Sequence, residues 1–379
     1  MIEYRFADAS YRADIIDFIN MVFSQSAIPH DFKTLIPKVY ADGRGFDEIH
    51  AIALDNQRVR GVVAQLPISA KYAGQDLKIG YIGSVSSHKY ARGSGYMKVL
   101  MAMQLENAEK SGIDIMMLGG QRQRYEYFGY SPVGDLYTYR IVGANIRHGL
   151  KNVNAAGVNW KRFSDAAQEE IDRAYEIYLS LPITGIRSRE DFELFMHSWN
   201  CDPYVIYEGH TVVGFLVAGG KDSFSELILT DASFAPKFVK AWCNVYEQNH
   251  LTITVPAIDR ALNREIAAFA ESYSNSNSEH VRIVNLINVL KACLSLKKKV
   301  SGISDGKIVL QIEDEAPVCA EVKNGEICVY ETDEAADAKF DRLSMQQLLF
   351  AANRFQAPDC KLPVDWFPLP LFLYSSDHF

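Results

Sequence analysis

A glycine-rich turn at the start of a helix is the feature that most constrains this sequence. IGYIGSV (79–85) is typical of a strand, and KYARGSG (89–95) separates it from a segment with the apolar spacing of a helix. IDIMMLG (113–119) is typical of the next strand. Glycine is costly at a helix start, so Gly93 and Gly95 indicate that something must approach the bare backbone there. The sequence therefore predicts a strand, a ligand-binding turn, a helix and a second strand in succession.

The turn matches neither of the two common phosphate loops. A dinucleotide-binding GxGxxG would need a third glycine at position 98, which is a lysine, and the chain contains no GxxxxGK[ST]. What remains is Arg92 followed by GxG before a helix, whose first N–H groups and positive dipole end favour an anion. A plain helix start with two turn glycines is the alternative.

Length and composition favour a soluble globular protein of two or three domains. The chain has 379 residues, of which 48% are hydrophobic and 23% are charged. The start, MIEYRFADAS, has neither the basic nor the apolar region of a signal peptide, and no apolar run approaches the ~20 residues of a membrane span. Six cysteines without a CxxC pair are typical of a reducing compartment. We therefore expect a cytoplasmic protein without a membrane span.

Charge and histidine spacing narrow the range of ligands. A net charge of -8 argues against nucleic acid as a partner and weakly favours cationic ligands. The nine histidines show no HxxxH or HExxH spacing, so no metal site is predicted. GISDG (302–306) matches the GxSxG of hydrolases, but a helix-like stretch precedes it and a strand follows it, so we expect an ordinary turn.

Three blocks are predicted along the chain: residues 1–145, 146–284 and 285–379. The second block echoes the first, because FSDA (163–166) repeats the pattern of FADA (6–9) and each is followed, some 50 residues later, by a glycine-containing strand. After its own strand the second block reads ASFAPKFVKAW, without glycine or arginine at the turn. If the blocks are duplicates, the site is expected in the first alone.

Local signals predict several further elements. Asn324-Gly325 lies between two strand-like runs and predicts a tight hairpin. SMQQ (344–347) predicts a helix opened by a capping box, and SYSNSNS (272–278) predicts a loop. The tail LPVDWFPLPLFLYSSDHF (362–379) is too apolar to extend into water and too rich in proline for a regular helix, so we expect it to be buried.

The turn resembles the acetyl-CoA-binding motif of GNAT acetyltransferases, [QR]xxGx[GA] between a strand and a helix. Arg92-Gly93-Ser94-Gly95 fits its core, although Tyr90 stands where Gln or Arg is commoner. The segment YEYFGY (125–130) is similar to the tyrosine and Phe-Gly-Phe/Tyr of that family, which implies that Tyr125 lies near the CoA sulfur and donates a proton to it. The residues implied to bind acetyl-CoA are Gly83, Ser84, Val85, Ala91, Arg92, Gly93, Ser94, Gly95, Tyr96, Gly120 and Gln121.

The three-block layout more specifically resembles the Eis (enhanced intracellular survival) acetyltransferases. The resemblance implies an α/β (α+β) fold with tandem GNAT-like domains, each a mixed sheet flanked by helices, the second domain degenerate. It also implies a C-terminal α+β domain like a sterol carrier protein, and assembly into a homohexamer. In that family the carboxylate of the last residue is the general base in the active site, which corresponds to Phe379 here.

The expected function is acetyl transfer from acetyl-CoA to an amine by direct attack in a ternary complex. The expected acceptor is a cationic small molecule, aminoglycoside- or polyamine-like, with a protein or peptide amine as the competing acceptor. No metal is expected to take part. The alternative from another class is a non-catalytic carrier or sensor that binds acyl-CoA or lipid.

Overall fold

Contacts between residues divide the chain into two units. The computed structural model describes residues 2–25, 28–185, 187–353, 355 and 357–379. The first unit combines residues 1–133, 279–369 and 378–379, and the second combines residues 134–278 and 370–377.

Nineteen strands and eleven α-helices are defined in the part of the chain that is described. Up to residue 133 they are β1 (Ile2–Phe6), α1 (Arg12–Phe23), α2 (Phe32–Leu35), α3 (Pro37–Tyr40), β2 (His50–Asp55), β3 (Arg58–Tyr72), β4 (Gln75–Ser87), α4 (Tyr96–Lys110), β5 (Ile115–Leu118), α5 (Arg122–Glu126) and β6 (Ser131–Val133). From 134 to 278 they are β7 (Leu136–Val142), β8 (Val158–Arg162), α6 (Gln168–Leu179), β9 (Ile183–Thr184), α7 (Phe192–Met196), β10 (Asp202–Glu208), β11 (Thr211–Gly220), β12 (Ser223–Leu229), α8 (Ala235–Val245), β13 (His250–Pro256), α9 (Arg260–Ala267) and β14 (Ser272–Ser276). From 279 onward they are β15 (Glu279–Ile283), α10 (Leu286–Ser301), β16 (Gly306–Ile312), β17 (Val318–Lys323), β18 (Glu326–Glu331), β19 (Ala338–Phe340) and α11 (Arg342–Phe350).

The main sheet of the first unit has the order β1-β2-β3-β4-β5-β15-β6. Its neighbours are antiparallel except β4 and β5, which are parallel. Leu100 and Met101 of α4 are buried in the same apolar cluster as Val63, Ile82 and Met116 of the strands. The apolar face of α4 therefore packs on the sheet and holds the helix start near the end of β4. A second sheet of this unit has the order β18-β17-β16-β19.

The sheet of the second unit repeats the same pattern of strand directions. Its order, from the end that begins with β8, is β8-β10-β11-β12-β13-β7-β14, with β12 and β13 parallel and the other neighbours antiparallel. The turn that follows β12 leads into α8, as the turn that follows β4 leads into α4. The mixed sheets with their helices confirm the predicted fold class and are consistent with tandem domains of one architecture.

In each sheet the strand beside the parallel pair comes from a distant part of the chain. That strand is β15 in the first sheet and β7 in the second. The contact boundaries therefore fall at 133/134 and 278/279, whereas the sequence predicted divisions at 145/146 and 284/285. The hydrophobic pattern of a segment predicts that it is a strand, but it does not predict which sheet the strand joins. The division into three domains remains a prediction.

Several local predictions are confirmed. Asn324 and Gly325 have φ of 52° and 77° and join β17 to β18, as a two-residue hairpin turn requires. Residues 302–305 connect the end of α10 to the start of β16, so GISDG is not a nucleophile elbow. In the tail, Leu371, Leu373 and Phe379 are buried, and the described tail contains one short helical turn at Ser375–Asp377.

Two local predictions are wrong. Helix α11 begins at Arg342, two residues before the predicted cap, because the Asp341 side chain accepts a hydrogen bond from the backbone of Ser344. SYSNSNS is not a loop, since its first five residues form β14. That strand is fully exposed at the sheet edge and pairs with β7, so backbone pairing forms it despite a composition that disfavours strands. In the described chain, no helix is long and apolar enough to cross a membrane.

A buried ion network lies in the second unit. The Arg187 guanidinium donates to both carboxylate oxygens of Glu226 at 3.1 Å and to Asp377 at 2.8 and 3.3 Å. All three side chains are at most 1% exposed. Glu226 also accepts the backbone N–H of Ser376 at 2.7 Å. One cation thus compensates two buried carboxylates and fixes the tail segment within this unit.

We expect Arg187→Met to destabilise the protein by about 3–5 kcal/mol, because it leaves two buried carboxylates without their cation. Urea unfolding followed by tryptophan fluorescence measures the loss. The matched control is Arg173→Met, since Arg173 is exposed and pairs with Glu176 at 2.7 Å on the surface of α6. That control should cost less than about 1 kcal/mol. Equal losses in the two variants would contradict a structural role for the buried network.

Candidate active site

The arginine–glycine turn leads directly into α4. Gly93 and Gly95 have φ of 82° and 79°, a backbone region that other residues rarely adopt, and Gly95 is the residue before the helix. A Cβ built on either glycine meets no described atom within 4 Å. The first N–H groups of a helix have no acceptor within it, so those of α4 face this open space. The predicted turn before a helix is confirmed.

The other residues predicted in this segment lie around the same turn. Arg92 and Ser94 are exposed, whereas Ala91 and Tyr96 are half-buried at its two ends. An exposed guanidinium beside a helix start combines a mobile cation with fixed N–H donors. The turn can therefore bind an anionic group such as a pyrophosphate.

Strand β4 changes its pairing at the next predicted group, Gly83-Ser84-Val85. Its parallel pairing with β5 ends at Ile82 and Leu118. On the other side, Gly83 pairs with Ala64 and Ser86 pairs with Val62, so β4 carries one extra residue in a β-bulge. Ser84 has φ of 49°. Because β4 and β5 are unpaired beyond Ile82, the backbone of this segment can pair with an extended ligand.

The last residue of the chain lies on this segment. Phe379 is 6% exposed, and its ring centroid is 6.1 Å from that of Tyr40. A Cβ on Gly83 would lie 2.1 Å from Cδ1 of Phe379, so a side chain at position 83 would displace the ring. The structure thus brings together two predicted site residues that are nearly 300 positions apart.

The penultimate residue is held by charged and aromatic groups. His378 stacks on Tyr81 with ring centroids 5.2 Å apart, and its Nε2 is 2.7 Å from Oε1 of Glu279. Tyr81 donates its hydroxyl to the other Glu279 oxygen at 3.1 Å. Lys38 is fully buried and donates its Nζ hydrogen to the backbone oxygen of His378. Both the side chain and the backbone of the terminal dipeptide are therefore fixed.

Tyr125 lies on α5, immediately after the end of β5. Its side chain is 6% exposed, and a Cβ on Gly120 would lie 2.3 Å from Cε2 of its ring. Gln121, which is exposed, is the residue before α5. Burial raises the pKa of Tyr125 above its ordinary value, so its hydroxyl is protonated at neutral pH. The predicted residues 120, 121 and 125 thus form one group beyond the open end of β5.

Comparison with known proteins identifies this part of the chain. Residues 3–133 match the family model described as an acetyltransferase (GNAT) domain. We call this segment the GNAT domain after that match. No curated protein sequence matches the chain significantly.

The whole chain shares its fold with several solved structures. A probable N-acyltransferase from Enterococcus faecalis V583 superposes with a TM-score of 0.68 at 16% identity, over 92% of this chain and 90% of that one. A GCN5-related N-acetyltransferase from Anabaena variabilis gives 0.66 at 16%, over 91% and 89%. Eis1 from Mycobacterium abscessus gives 0.62 at 15%, over 91% and 88%. The chain thus shares the overall fold of these proteins, Eis1 among them, and its residues 3–133 match a GNAT acetyltransferase domain.

A cleft of about 410 Å³ lies beside α4 in the GNAT domain. Lys98, Met101 and Leu105 line it from the helix, and Tyr127 and Phe128 line it from the segment after α5. The Lys98 Nζ lies 5.7 Å from the centroid of the Tyr127 ring, which is largely exposed. The cleft thus offers a cation and apolar surface next to the helix start.

A buried chain of hydrogen bonds in the GNAT domain ends at Ser84 of β4. The ring of His50 bonds through Nδ1 to the carbonyl oxygen of Asp47 at 3.0 Å and through Nε2 to the hydroxyl of Tyr40 at 2.9 Å. The Tyr40 oxygen is 2.7 Å from Oγ of Ser84. Burial lowers the pKa of His50 to about 4 and raises that of Tyr40, so both are neutral at pH 7.

Sequence reasoning missed the residues that support the terminus and the bulge: Lys38, Tyr40, His50, Tyr81 and Glu279. Lys38 and Tyr40 lie in the short helix α3, and Glu279 follows the whole second sheet in the chain. A lysine within the apolar stretch LIPKVY was a weak signal of a buried cation. The remaining contacts depend on long-range pairing, for which the sequence carries no local pattern.

The His50 environment predicts a pH dependence of stability. The pKa of histidine is ~6.5 in the unfolded chain, so the folded state, with its pKa of about 4, binds fewer protons between these values. The contribution is present above pH 6.5 and is lost as the pH falls toward 4. We expect a loss of about 2 kcal/mol between pH 7 and pH 5.

Urea unfolding at the two pH values measures this dependence in the natural chain and in His50→Gln, which should lose about 2 kcal/mol less on acidification. His210→Gln is the matched control, because His210 is exposed. An unchanged pH dependence in His50→Gln would show that His50 does not titrate as described.

Proposed function

We propose that the protein is an acetyl-CoA-dependent N-acetyltransferase that acts on a cationic small molecule, aminoglycoside- or polyamine-like. The acetyl group passes directly to the acceptor amine in a ternary complex. One observation carries the proposal: the chain terminus, at Phe379, is built onto Gly83 of the GNAT domain, where β4 parts from β5. That contact brings a carboxylate-bearing residue to the segment that offers free backbone groups.

The arginine–glycine turn suits the pyrophosphate of acetyl-CoA. The pyrophosphate would lie on residues 91–96, where bare glycine backbone and helix N–H groups face open space and Arg92 adds a cation. The pantetheine arm would pair with residues 83–85, beyond the last β4–β5 pair. Gly120 and Gln121 border the same opening after β5. Lys98 lines the adjacent cleft and would place a cation near a further phosphate group.

The terminal carboxylate is the proposed general base. An acceptor amine of pKa ~10 is mostly protonated at neutral pH and must lose a proton before it can attack the thioester. The carboxylate of Phe379 takes this proton directly or through a water molecule. Lys38 and Glu279 support this role, because they hold the neighbouring His378 from its backbone and from its ring.

Tyr125 is the proposed general acid. The amine nitrogen forms a bond to the thioester carbon, the carbon–sulfur bond breaks, and the departing sulfur receives the hydroxyl proton of Tyr125. The nitrogen then releases its second proton to water as the amide forms, and Tyr125 regains a proton from water. Tyr125 carries its proton at neutral pH, because burial raises its pKa above the ordinary value of tyrosine. Backbone N–H groups of the open β4 segment are the proposed donors to the oxyanion. No covalent enzyme intermediate is required.

The remaining proposals rest on resemblance to the Eis family. They are a degenerate GNAT-like second domain, a C-terminal domain like a sterol carrier protein, a homohexameric assembly and a cytoplasmic location. The preference for a cationic acceptor is supported by the net charge of -8. A protein or peptide amine is the competing acceptor.

Thiol release from acetyl-CoA tests the proposed function. We expect release with a subset of a panel of aminoglycosides, polyamines and lysine peptides. The double variant Arg92→Ala, Gly93→Ala should raise the acetyl-CoA Kd by about tenfold or more, measured by calorimetry, since it removes a cation and adds a Cβ at positive φ. Tyr125→Phe should lower kcat by about tenfold to a hundredfold without changing that Kd.

Each outcome separates the alternatives. If no amine of the panel causes thiol release while the protein still binds acetyl-CoA, the non-catalytic carrier or sensor is favoured. Lipid that co-purifies with the protein would support that alternative. An unchanged Kd in the turn variant would remove the assignment of the cosubstrate site.

A single glycine appended after Phe379 tests the base. It moves the carboxylate by one residue, ~3.5 Å, so we expect kcat to fall by about a hundredfold or more while the acetyl-CoA Kd changes little. The matched variant Phe379→Leu keeps a terminal carboxylate and should retain more activity than the extended chain. Full activity in the extended chain would refute the terminal base.

A further inference from the structure

Ser84 adopts an unusual backbone conformation for its position. Nine described non-glycine residues have positive φ, and Ser84 is the one among them that lies inside a strand. The left-handed region disfavours residues with a Cβ, so the surrounding structure must hold Ser84 there.

This conformation coincides with the opening of the sheet. Ser84 and Val85 of β4 together face the single residue Val63 of β3, between the pairs Gly83–Ala64 and Ser86–Val62. The last pair of β4 with β5, at Ile82, comes two residues earlier. The bulge therefore lies where β4 turns away from β5.

The hydrogen bonds behind Ser84 have a fixed direction. The carbonyl oxygen of Asp47 can only accept, so Nδ1 of His50 carries the hydrogen and Nε2 is an acceptor. Tyr40 then donates its hydroxyl to Nε2, and its oxygen accepts the hydroxyl of Ser84. His50 and Tyr40 are 3% and 1% exposed, so water does not compete for these bonds.

We propose that Tyr40, oriented by His50, is a positioning residue. Its hydrogen bond to the Ser84 side chain keeps the bulge of β4 in the conformation that binds the cosubstrate. The role rests on the proposed function, because the bound molecule is acetyl-CoA. Tyr40 acts on the bulge through Ser84. A second hydrogen bond, from the hydroxyl of Ser86 to the carbonyl oxygen of Ser84 at 3.1 Å, fixes the same residue from its backbone side.

The test compares acetyl-CoA affinity, by calorimetry, among variants at these two positions. Tyr40→Phe keeps the ring against Phe379 and removes the hydroxyl, so we expect the Kd to rise by about tenfold. Ser84→Ala loses the hydrogen bond to Tyr40 but keeps a Cβ, so its Kd should rise by a similar factor. Ser84→Gly also loses this hydrogen bond, but glycine adopts positive φ without it. The Kd of Ser84→Gly should therefore be at least about fivefold lower than that of Ser84→Ala.

Two further variants exclude a merely structural effect. Tyr40→Phe added to Ser84→Gly should raise the Kd by less than about twofold, because Ser84→Gly has already removed the hydrogen bond to Tyr40. Tyr139→Phe is the matched control, since this buried tyrosine of the second unit donates to Asn263 at 2.8 Å and should leave the Kd unchanged.

Equal losses in Ser84→Ala and Ser84→Gly with no effect of Tyr40→Phe would overturn the proposal and assign the Ser84 hydroxyl to the ligand itself. Equal effects of Tyr40→Phe in both backgrounds would also overturn it. If the natural chain does not bind acetyl-CoA, the proposed function fails instead, and thermal unfolding of each variant confirms that it is folded.

Discussion

The contact of the Phe379 ring with the bare Cα of Gly83 is the constraint on which the rest of the site depends. With a Cβ placed 2.1 Å from that ring, no residue except glycine lets the chain terminus lie on β4. The proposed carboxylate at Phe379 would bring a negative charge, and burial of a charge is costly unless an opposite charge is near. The fully buried Lys38, bonded to the backbone of His378, supplies a cation at the same place. Burial of the last residue on β4 therefore requires both a glycine beneath its ring and a buried lysine near its backbone.

Two kinds of contact support the site, and they meet different physical demands. The terminal dipeptide is surrounded by ionisable groups, with Glu279 beside the ring of His378 and Lys38 on its backbone. Proposed proton transfer changes the charge there, so groups of both signs can stabilise more than one protonation state. The bulge at Ser84 is instead held by neutral groups, because burial keeps His50 and Tyr40 uncharged. A neutral chain of hydrogen bonds keeps one direction and one geometry across the neutral pH range, which suits a conformation that must not change.

The sequence predicted the parts of the structure whose causes are local. The arginine–glycine turn and the Asn324-Gly325 hairpin follow from residues that adopt positive φ, so their neighbours in sequence suffice to find them. The burial of the tail followed from composition. The supports of the terminus could not be found in this way, because Lys38 and Glu279 meet the terminal dipeptide only after distant segments have paired. The edge strand β14 was missed for the same reason, since its pairing with β7 outweighs the weak strand preference of serine and asparagine.

The second sheet shows that strand order alone does not make an anion site. It repeats the strand directions of the first, and β12 leads through a turn into α8 as β4 leads into α4. At that turn, however, the carboxylate of Asp231 accepts the backbone N–H of Ser233, and this hydrogen bond holds the pKa of Asp231 below its ordinary value. The turn thus carries an anion of its own, whereas the first sheet offers two bare glycines and an arginine. A carboxylate placed before a helix repels a phosphate there. The same architecture therefore carries an open arginine–glycine turn in one sheet and an acidic turn in the other, and the difference is made by the few residues between strand and helix.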